Sequence, residues 1–430
     1  MEMPLQSRTL RAEGPSFRQM LEREDGFNVR RAVERLREGL FDPIGVRLLT
    51  AHEERLRTEI ERGFGQLDAG ERPHLCVAGS YGQGKTHSLV YIEGLALREG
   101  FAASRINLDP REGPFHNFRA VYRKLLHHLR MPDSDESFPV LWKKWARRQV
   151  KERNHHGGGI LDIVPSETPH LFKAVLAAMA HANLALSGTE KRLKKHAAFR
   201  PREFPALLAR ALEGEAVPVH QLRYVFKYRE VSFYQDERLG CRGPEPFLVM
   251  LGALSRLFRA MGYRGWVVLF DEGESIAQAN VSARSKSYML LHRLLFAPGM
   301  SDPSFLYPIF AFTDDFFQRV REEDYDRVLV RRGVEIPLFE RNYARDWENL
   351  NIYQLHDLSR KEWQELSGRL LRLHAQAYGW HPPEAGVVQE MENRLEKART
   401  QDTRLKLKAL VDCLDLAHQE QVLNVMTQLK

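Results

Sequence analysis

Eight consecutive residues, Gly79-Ser80-Tyr81-Gly82-Gln83-Gly84-Lys85-Thr86, have the types and spacing needed to hold a polyphosphate. Glycines at 79, 82 and 84 let the backbone close around an anion, so that successive N–H groups point at phosphate oxygens. Lys85 adds a positive charge for the β- and γ-phosphates, and the Thr86 hydroxyl is a ligand for Mg²⁺. The apolar run 75–78 precedes this loop, and a helical pattern from His87 to Arg98 follows it. The chemistry demands that order of strand, glycine loop and helix start, because a helix N-terminus is itself an anion site.

A second constellation lies far along the chain. Trp266-Val267-Val268-Leu269-Phe270 is an apolar run ending in Asp271-Glu272. A buried parallel strand presents its first polar side chains at its carboxyl end, where ligands of open α/β sheets bind. Asp271 is expected there to hold Mg²⁺, and Glu272 to polarise a lytic water. Taken alone, the same pair would serve equally well as a helix cap. Glu274 shares the turn as helper or cap. Thr313 and Asp314 follow another apolar run. The Thr313 hydroxyl is placed either to touch a γ-phosphate or to cap the next helix. Charge developing on the transferred phosphoryl group needs cations beyond Lys85. Arg327, Arg331, Arg332 and Arg404 are the candidates.

Such residues meet only if a parallel sheet brings them together. The fold class expected is α/β, a P-loop NTPase sheet flanked by helices. Its strands are expected at 75–78, 102–108, 266–270, from Ile309 to Phe312, and at 334–339. Pro308 is left outside the fourth strand because proline fits badly in a buried ladder. The stretch between Thr86 and Asp271 is too long for a few βα units, so a mostly helical insertion is expected. The expected division is an N-terminal helical region (1–65), an ATPase core (66–131 and 243–345), an inserted lobe (132–242) and a C-terminal helical lid (346–430). A turn at Pro43-Ile44-Gly45 should precede an amphipathic stretch from Arg47 to Phe64. Ser359-x-x-Glu362 reads as a capping box opening a lid helix.

Composition bounds the rest. The chain has 430 residues, 43% hydrophobic, with a formal net charge of +7. No apolar stretch is long enough for a bilayer, no secretory leader is visible, and three scattered cysteines make no disulfide framework. A cytoplasmic location without membrane contact is expected. His155-His156 lacks a third ligand at metal-site spacing. The positive excess is clustered at Lys143, Lys144, Arg147, Arg148, Lys151 and Arg153, with Trp142 and Trp145 interleaved, and again at Lys191, Arg192, Lys194 and Lys195. Either cluster is a solvated helix face or a contact for the phosphates of DNA.

With these residues placed, the chain resembles an AAA+-type ATPase of the ORC/Cdc6-like branch. More narrowly, it is similar to the BrxD-like ATP-binding proteins of BREX phage-defence systems. The likeness rests on several stretches. They include Arg31-Ala32-Val33-Glu34-Arg35-Leu36-Arg37-x-Gly39, the loop from Tyr81 to His87, and Gly262-Tyr263-x-Gly265 before Asp271-Glu272-x-Glu274. Thr313-x-x-Phe316-Phe317 and Tyr325-x-x-x-x-x-Arg331 follow. The last are His374-Ala375-x-Ala377-Tyr378-Gly379-Trp380 and Thr403-Arg404 leading to Leu414-Asp415. The resemblance implies an AAA+-like core, ATP and Mg²⁺ as ligands, Thr313 as sensor 1, Arg331 as an arginine finger and Arg404 as a sensor-2 residue on the lid. It implies other defence proteins as partners and admits a homo-oligomer whose finger acts in trans. Tyr307 and Pro308 depart from the simpler apolar strand of the family. The chain ends soon after the lid, so no winged helix is expected, and DNA contact falls to the insertion, the N-terminal region or a partner. The activity implied is ATP hydrolysis by a switch or motor subunit. A nucleotide-gated scaffold with negligible hydrolysis and a P-loop kinase are the alternatives.

Overall fold

Strands buried on both faces must be apolar throughout, and three of the runs above, at 75–78, 266–270 and 309–312, lie inside a six-stranded sheet. The structure is a computed structural model. It describes residues 17–428 except 41, 52, 112, 155–159, 181–202, 230, 232–233, 235–237, 297–303, 325–327, 332–333, 383–386, 388–389, 392 and 395–401. The strands are β1 (Leu75–Ala78), β2 (Ala102–Asn107), β3 (Leu129–Arg130), β4 (Trp266–Asp271), β5 (Leu306–Phe312), β6 (Val328–Arg331), β7 (Val334–Pro337) and β8 (Ile352–Gln354). The main sheet runs β3-β2-β4-β5-β1-β8, antiparallel only at β3. β6 and β7 make a separate antiparallel ribbon. β5 therefore lies between the strand that feeds the glycine loop and the strand that ends in Asp271.

The helices used below, in chain order, are α1 (Gly26–Arg37), α2 (Pro43–Leu49), α3 (Glu53–Asp68), α4 (Lys85–Arg98), α5 (Phe138–Asn154), α6 (His170–Ala180), α7 (Phe204–Leu212), α8 (Val219–Tyr228), α9 (Glu245–Ala260), α10 (Val281–Phe296), α11 (Asp314–Arg319), α12 (Arg360–Tyr378) and α13 (Thr403–Gln428). The chain divides into two compact units. One holds Glu54–Tyr81 and Ser88–Leu355; the other holds Met1–Glu53, Gly82–His87 and His356–Lys430.

The larger unit contains the sheet. Its core is strongly aromatic: Phe270 stacks on Phe310 at 4.2 Å, Phe310 lies 5.7 Å from Phe312, and Phe312 stacks on Phe316 at 4.3 Å. This column explains Thr313-x-x-Phe316-Phe317, since Phe316 returns from α11 onto the strand that precedes it. Helices from residues 132–242 share the same core through Trp142, Phe172, Phe204 and Phe226.

The smaller unit explains why the resemblance concentrates in short scattered stretches. Arg37 of α1 donates two hydrogen bonds to Asp415 of α13, at 2.9 and 2.8 Å, and a third to the Tyr378 hydroxyl at 2.9 Å. Tyr378 in turn donates to Glu34 at 2.6 Å. His374, fully buried, donates Nε2–H to Asp415 and accepts the Trp380 indole N–H at Nδ1, at 3.0 and 2.9 Å. Gly379 allows the turn between Tyr378 and Trp380 because its φ is +65°. Residues far apart in sequence thus form one polar clamp over the apolar contacts of α1, α12 and α13.

Four local expectations are corrected. The fifth parallel strand is β8, not 334–339: Val334, Glu335, Ile336 and Pro337 are all exposed, and they pair with β6. β5 includes Pro308. Pairing with β1 starts only at Ile309, so at Pro308 the strand has a neighbour on one side alone and tolerates a missing N–H. Pro43 is not in a turn but is the first residue of α2, with Asp42 capping Ile44 and Gly45. The stretch 47–64 is accordingly divided between α2 and α3.

Candidate phosphate-binding site

Because β1, β4 and β5 run parallel, their carboxyl ends share one edge of the sheet. Gly79 leaves β1 there, donating its N–H to Phe312 O at 3.3 Å. The Ser80 hydroxyl donates to Asp314 at 3.2 Å, and Gln354 donates to the same carboxylate at 3.0 Å. Asp271 is only 5% exposed, and its Oδ1 accepts the Glu272 N–H at 3.0 Å. Glu272 is exposed and left-handed (φ 55°, ψ 41°), the only such non-glycine residue among those described. That conformation costs about 1 kcal/mol for a residue with a Cβ, and such strain concentrates at functional turns. Gly273 is dictated by crowding, since a Cβ would lie 2.5 Å from the Phe312 ring and 2.7 Å from Ala311 O. Thr313 holds the N-cap position of α11, yet its hydroxyl makes no capping bond, which removes the purely local reason for it.

The remainder of the glycine loop belongs to the smaller unit. Gly82 and Gly84 have φ of +83° and +94°, values that suit glycine. Lys85, 9% exposed, opens α4, and Thr86 is its second residue. A Cβ on Gly84 would meet nothing closer than His87 at 3.9 Å. One on Gly82 would collide with the Asp402 carboxyl group at 2.8 Å. Gln83 donates to Asp357 at 2.8 Å. Asp402 also caps α13, accepting the Arg404 N–H at 2.8 Å, and the Arg404 stem lies along Gly39. The loop and the start of the helix bearing Arg404 are therefore held in one unit.

His87 is tied down by Thr50. The Thr50 hydroxyl donates to Val46 O at 2.6 Å, so its lone pair accepts the His87 Nε2–H at 2.9 Å. Thr50 O accepts from Arg369 of α12 at 3.3 Å. Thr50, Asp357 and Asp402 carry no motif and escape a sequence reading. Of the arginines, Arg331 ends β6, whereas Arg327 and Arg332 lie outside the described residues, as do Lys191, Arg192, Lys194, Lys195 and the loop 155–159. Taken separately, each set of residues suits the ligand expected of it: left-handed glycines at a helix start suit phosphate, and the oxygens of Thr86 and of Asp271 are each donors of the kind a hard cation takes.

Four histidines are expected to make the protein acid-sensitive. Desolvation lowers His74, His292 and His374, and drives His87 down to about 4. His74 and His292 each accept an N–H at Nε2, from Asn351 at 3.2 Å and Arg341 at 2.9 Å, and His374 accepts at Nδ1. Protonation would set N–H against N–H. Since the folded values lie below the unfolded value of about 6.5, this stability is complete above pH 6.5 and is lost as pH falls toward the folded values. Each ring forfeits up to about 1.4 kcal/mol per pH unit in that window. The thermal unfolding midpoint is expected to drop between pH 7.5 and 5.5; a midpoint that holds or rises would contradict the neutral-ring assignment.

Lys143, Lys144, Arg147, Arg148 and Lys151 all lie on α5. Trp142 faces the core, donating its indole N–H to Leu176 O at 2.9 Å, so it is a packing residue. Lys144 pairs with Glu136. Burial, and then Arg147 and Arg229, lower Lys143, which shows cations from two elements gathered together. The Arg153 side chain is outside the described part of the structure.

In comparison with known proteins, residues 28–188 and 244–430 match the family described as BREX system ATP-binding protein BrxC/D. No curated protein matches significantly. Among solved structures, the chain is similar to the Walker-type ATPase PABY2304 of Pyrococcus abyssi, with 11% identity and a TM-score of 0.30. That match covers 86% of this chain and 76% of the other.

Proposed function

We propose that this chain, which belongs to the BrxC/D family of BREX system ATP-binding proteins, hydrolyses ATP as a switch or motor subunit of a phage-defence complex acting on DNA. The observation that carries the reading is the sheet edge where β4 ends in buried Asp271 and left-handed Glu272 follows, one strand removed, across β5, from the strand that feeds the glycine loop. Loop N–H groups and Lys85 bind and orient the triphosphate. Thr86 and Asp271 are the residues that would hold Mg²⁺, whose positive charge would offset that of the triphosphate. Glu272 orients water and takes its proton as the water oxygen bonds to the γ-phosphorus. The bond from that phosphorus to the bridging oxygen breaks, and ADP and phosphate leave. Thr313 is the candidate sensor of the γ-phosphate, and Arg331 and Arg404 supply further cationic charge. An Arg331 that serves a neighbour's site would require a homo-oligomer.

Phosphate release measured with and without DNA tests the activity. Free phosphate as product is the expected result. ATP binding without release would instead mark a nucleotide-gated scaffold, and a phosphorylated product a kinase. We place this activity in the cytoplasm alongside other proteins of the defence system, a setting in which free thiols such as Cys76, Cys241 and Cys413 persist. No described helix is long and apolar enough to cross a membrane.

For DNA, the reading rests on the α5 cations. Changing Lys143, Lys144, Arg147 and Arg148 to Glu is expected to weaken DNA binding at least tenfold at low salt. The dependence of log affinity on log salt should become shallower by roughly 0.9 for each phosphate that the variant no longer neutralises. A titration across salt concentrations that gives unchanged affinity and slope would remove α5 from the interface.

A further inference from the structure

Efficient hydrolysis needs Glu272 fixed in place, yet its backbone is strained and the 3₁₀ turn Gly273–Gln278 follows at once. Something must hold that turn. Arg284, in the first turns of α10, donates from Nη1 to Ala277 O at 3.3 Å and to Ala279 O at 3.0 Å. Its Nη2 donates to Asp324 Oδ1 at 2.7 Å. The other Asp324 oxygen accepts the Tyr288 hydroxyl at 2.9 Å. Arg319 also donates to Ala277 O, at 3.1 Å. Two arginines therefore converge on a carbonyl five residues after Glu272.

We infer that Arg284, locked by Asp324, is a positioning residue that sets the Glu272 turn for hydrolysis; the inference rests on the reading of Glu272 as the residue that activates water. Arg284 and Asp324 are 7% and 2% exposed. A buried ion pair of this kind is no better for stability than well-packed apolar side chains, because desolvating both charges offsets their attraction. What it does offer is direction: a planar guanidinium fixes several acceptors at once, and an apolar side chain fixes none. Asp324 also closes the π-helical turn Val320–Asp324, which precedes β6 and so the arginine at its end, Arg331. The pair therefore joins the turn after Glu272 to the segment leading to the candidate finger, and α10 supplies the rigid post.

The test compares Arg284→Lys with the double variant Arg284→Met/Asp324→Leu and with Glu272→Gln. Phosphate release at saturating ATP, the Kd of a fluorescent ATP analogue and the thermal midpoint are measured for each. Arg284→Lys keeps a charge for Asp324 but loses the fork. It is expected to remain folded and to hydrolyse at least about tenfold more slowly, with Kd within twofold of wild type. The double variant, which buries no charge, is expected to show the same slow turnover. Wild-type turnover in either folded variant would overturn the inference, because the pair would then be packing alone. So would a loss of nucleotide affinity equal to the loss of rate. If the double variant fails to fold, Arg284→Lys decides by the same readings. Glu272→Gln separates the two levels: if it turns over like wild type, the reading of Glu272 itself fails, whatever Arg284 does.

Discussion

Lys85→Ala is expected to abolish nucleotide binding, with affinity falling by about 100-fold or more. Lys85 opens α4 directly after left-handed Gly84, so its ammonium extends the positive field of a helix start. A charge-assisted bond to phosphate contributes roughly 1.5–3 kcal/mol, and its loss leaves loop N–H groups alone to balance a highly charged ligand. A hundredfold loss corresponds to about 2.7 kcal/mol, within that range. Alanine is the best helix former, so the start of α4 is not expected to unravel. Two measurements separate ligand loss from fold loss. A fluorescent ATP analogue should titrate the wild type but not the variant. ATP at 100 times its Kd should stabilise the wild type by about 2.7 kcal/mol and leave the variant's midpoint unmoved. Retained binding would mean that the glycine loop is structural.

The glycine loop and the Asp271-Glu272 pair are legible in the sequence because each is local: residue types, spacing and flanking apolar runs all lie within a dozen positions. The same holds for the capping box at Ser359, where Glu362 donates its N–H to the serine hydroxyl and accepts the Ser359 N–H in return. What escapes depends on distance. Thr50 reaches His87 across 37 positions, and Arg37 reaches Asp415 across 378. Asp324, next to Glu322 and Glu323 in sequence, has no local signal of burial, yet it is almost fully buried because Arg284 and Tyr288 meet it from α10.

Strand assignment failed where periodicity misleads. Val334–Pro337 has the apolar content of a strand and forms one, but as an exposed ribbon. Ile352–Gln354 shows little apolar run, yet it pairs with β1 because an edge strand of three residues needs only backbone partners on one side. The stretches that narrowed the family resemblance have a common cause. Phe316 closes the aromatic column, and Glu34, Arg37, His374, Tyr378, Trp380 and Asp415 close the polar clamp. Each lies where two or three distant segments must agree in shape and charge, so such residues cluster in sequence without forming a motif of their own.

Glu272→Gln is expected to bind ATP within about threefold of wild type and to slow phosphate release by at least about 100-fold. The substitution keeps the length and branching of the side chain, and it asks the backbone for the same left-handed conformation. The folded state should therefore change little. What it removes is the ability to take a proton from water, a contribution typically of about 10²–10⁴ in rate. Asp271 does not replace it, because that carboxylate is buried and already accepts the Glu272 N–H. Binding without turnover also tests why the protein tolerates a strained glutamate at all. If strain at Glu272 served only the fold, glutamine would preserve both binding and rate. If it aims the carboxylate at a water, rate alone should collapse, and the variant should accumulate in an ATP-bound state that partner proteins could recognise. Phosphate release by the purified variant at wild-type speed would assign the base elsewhere and leave the conformation of Glu272 without a functional explanation.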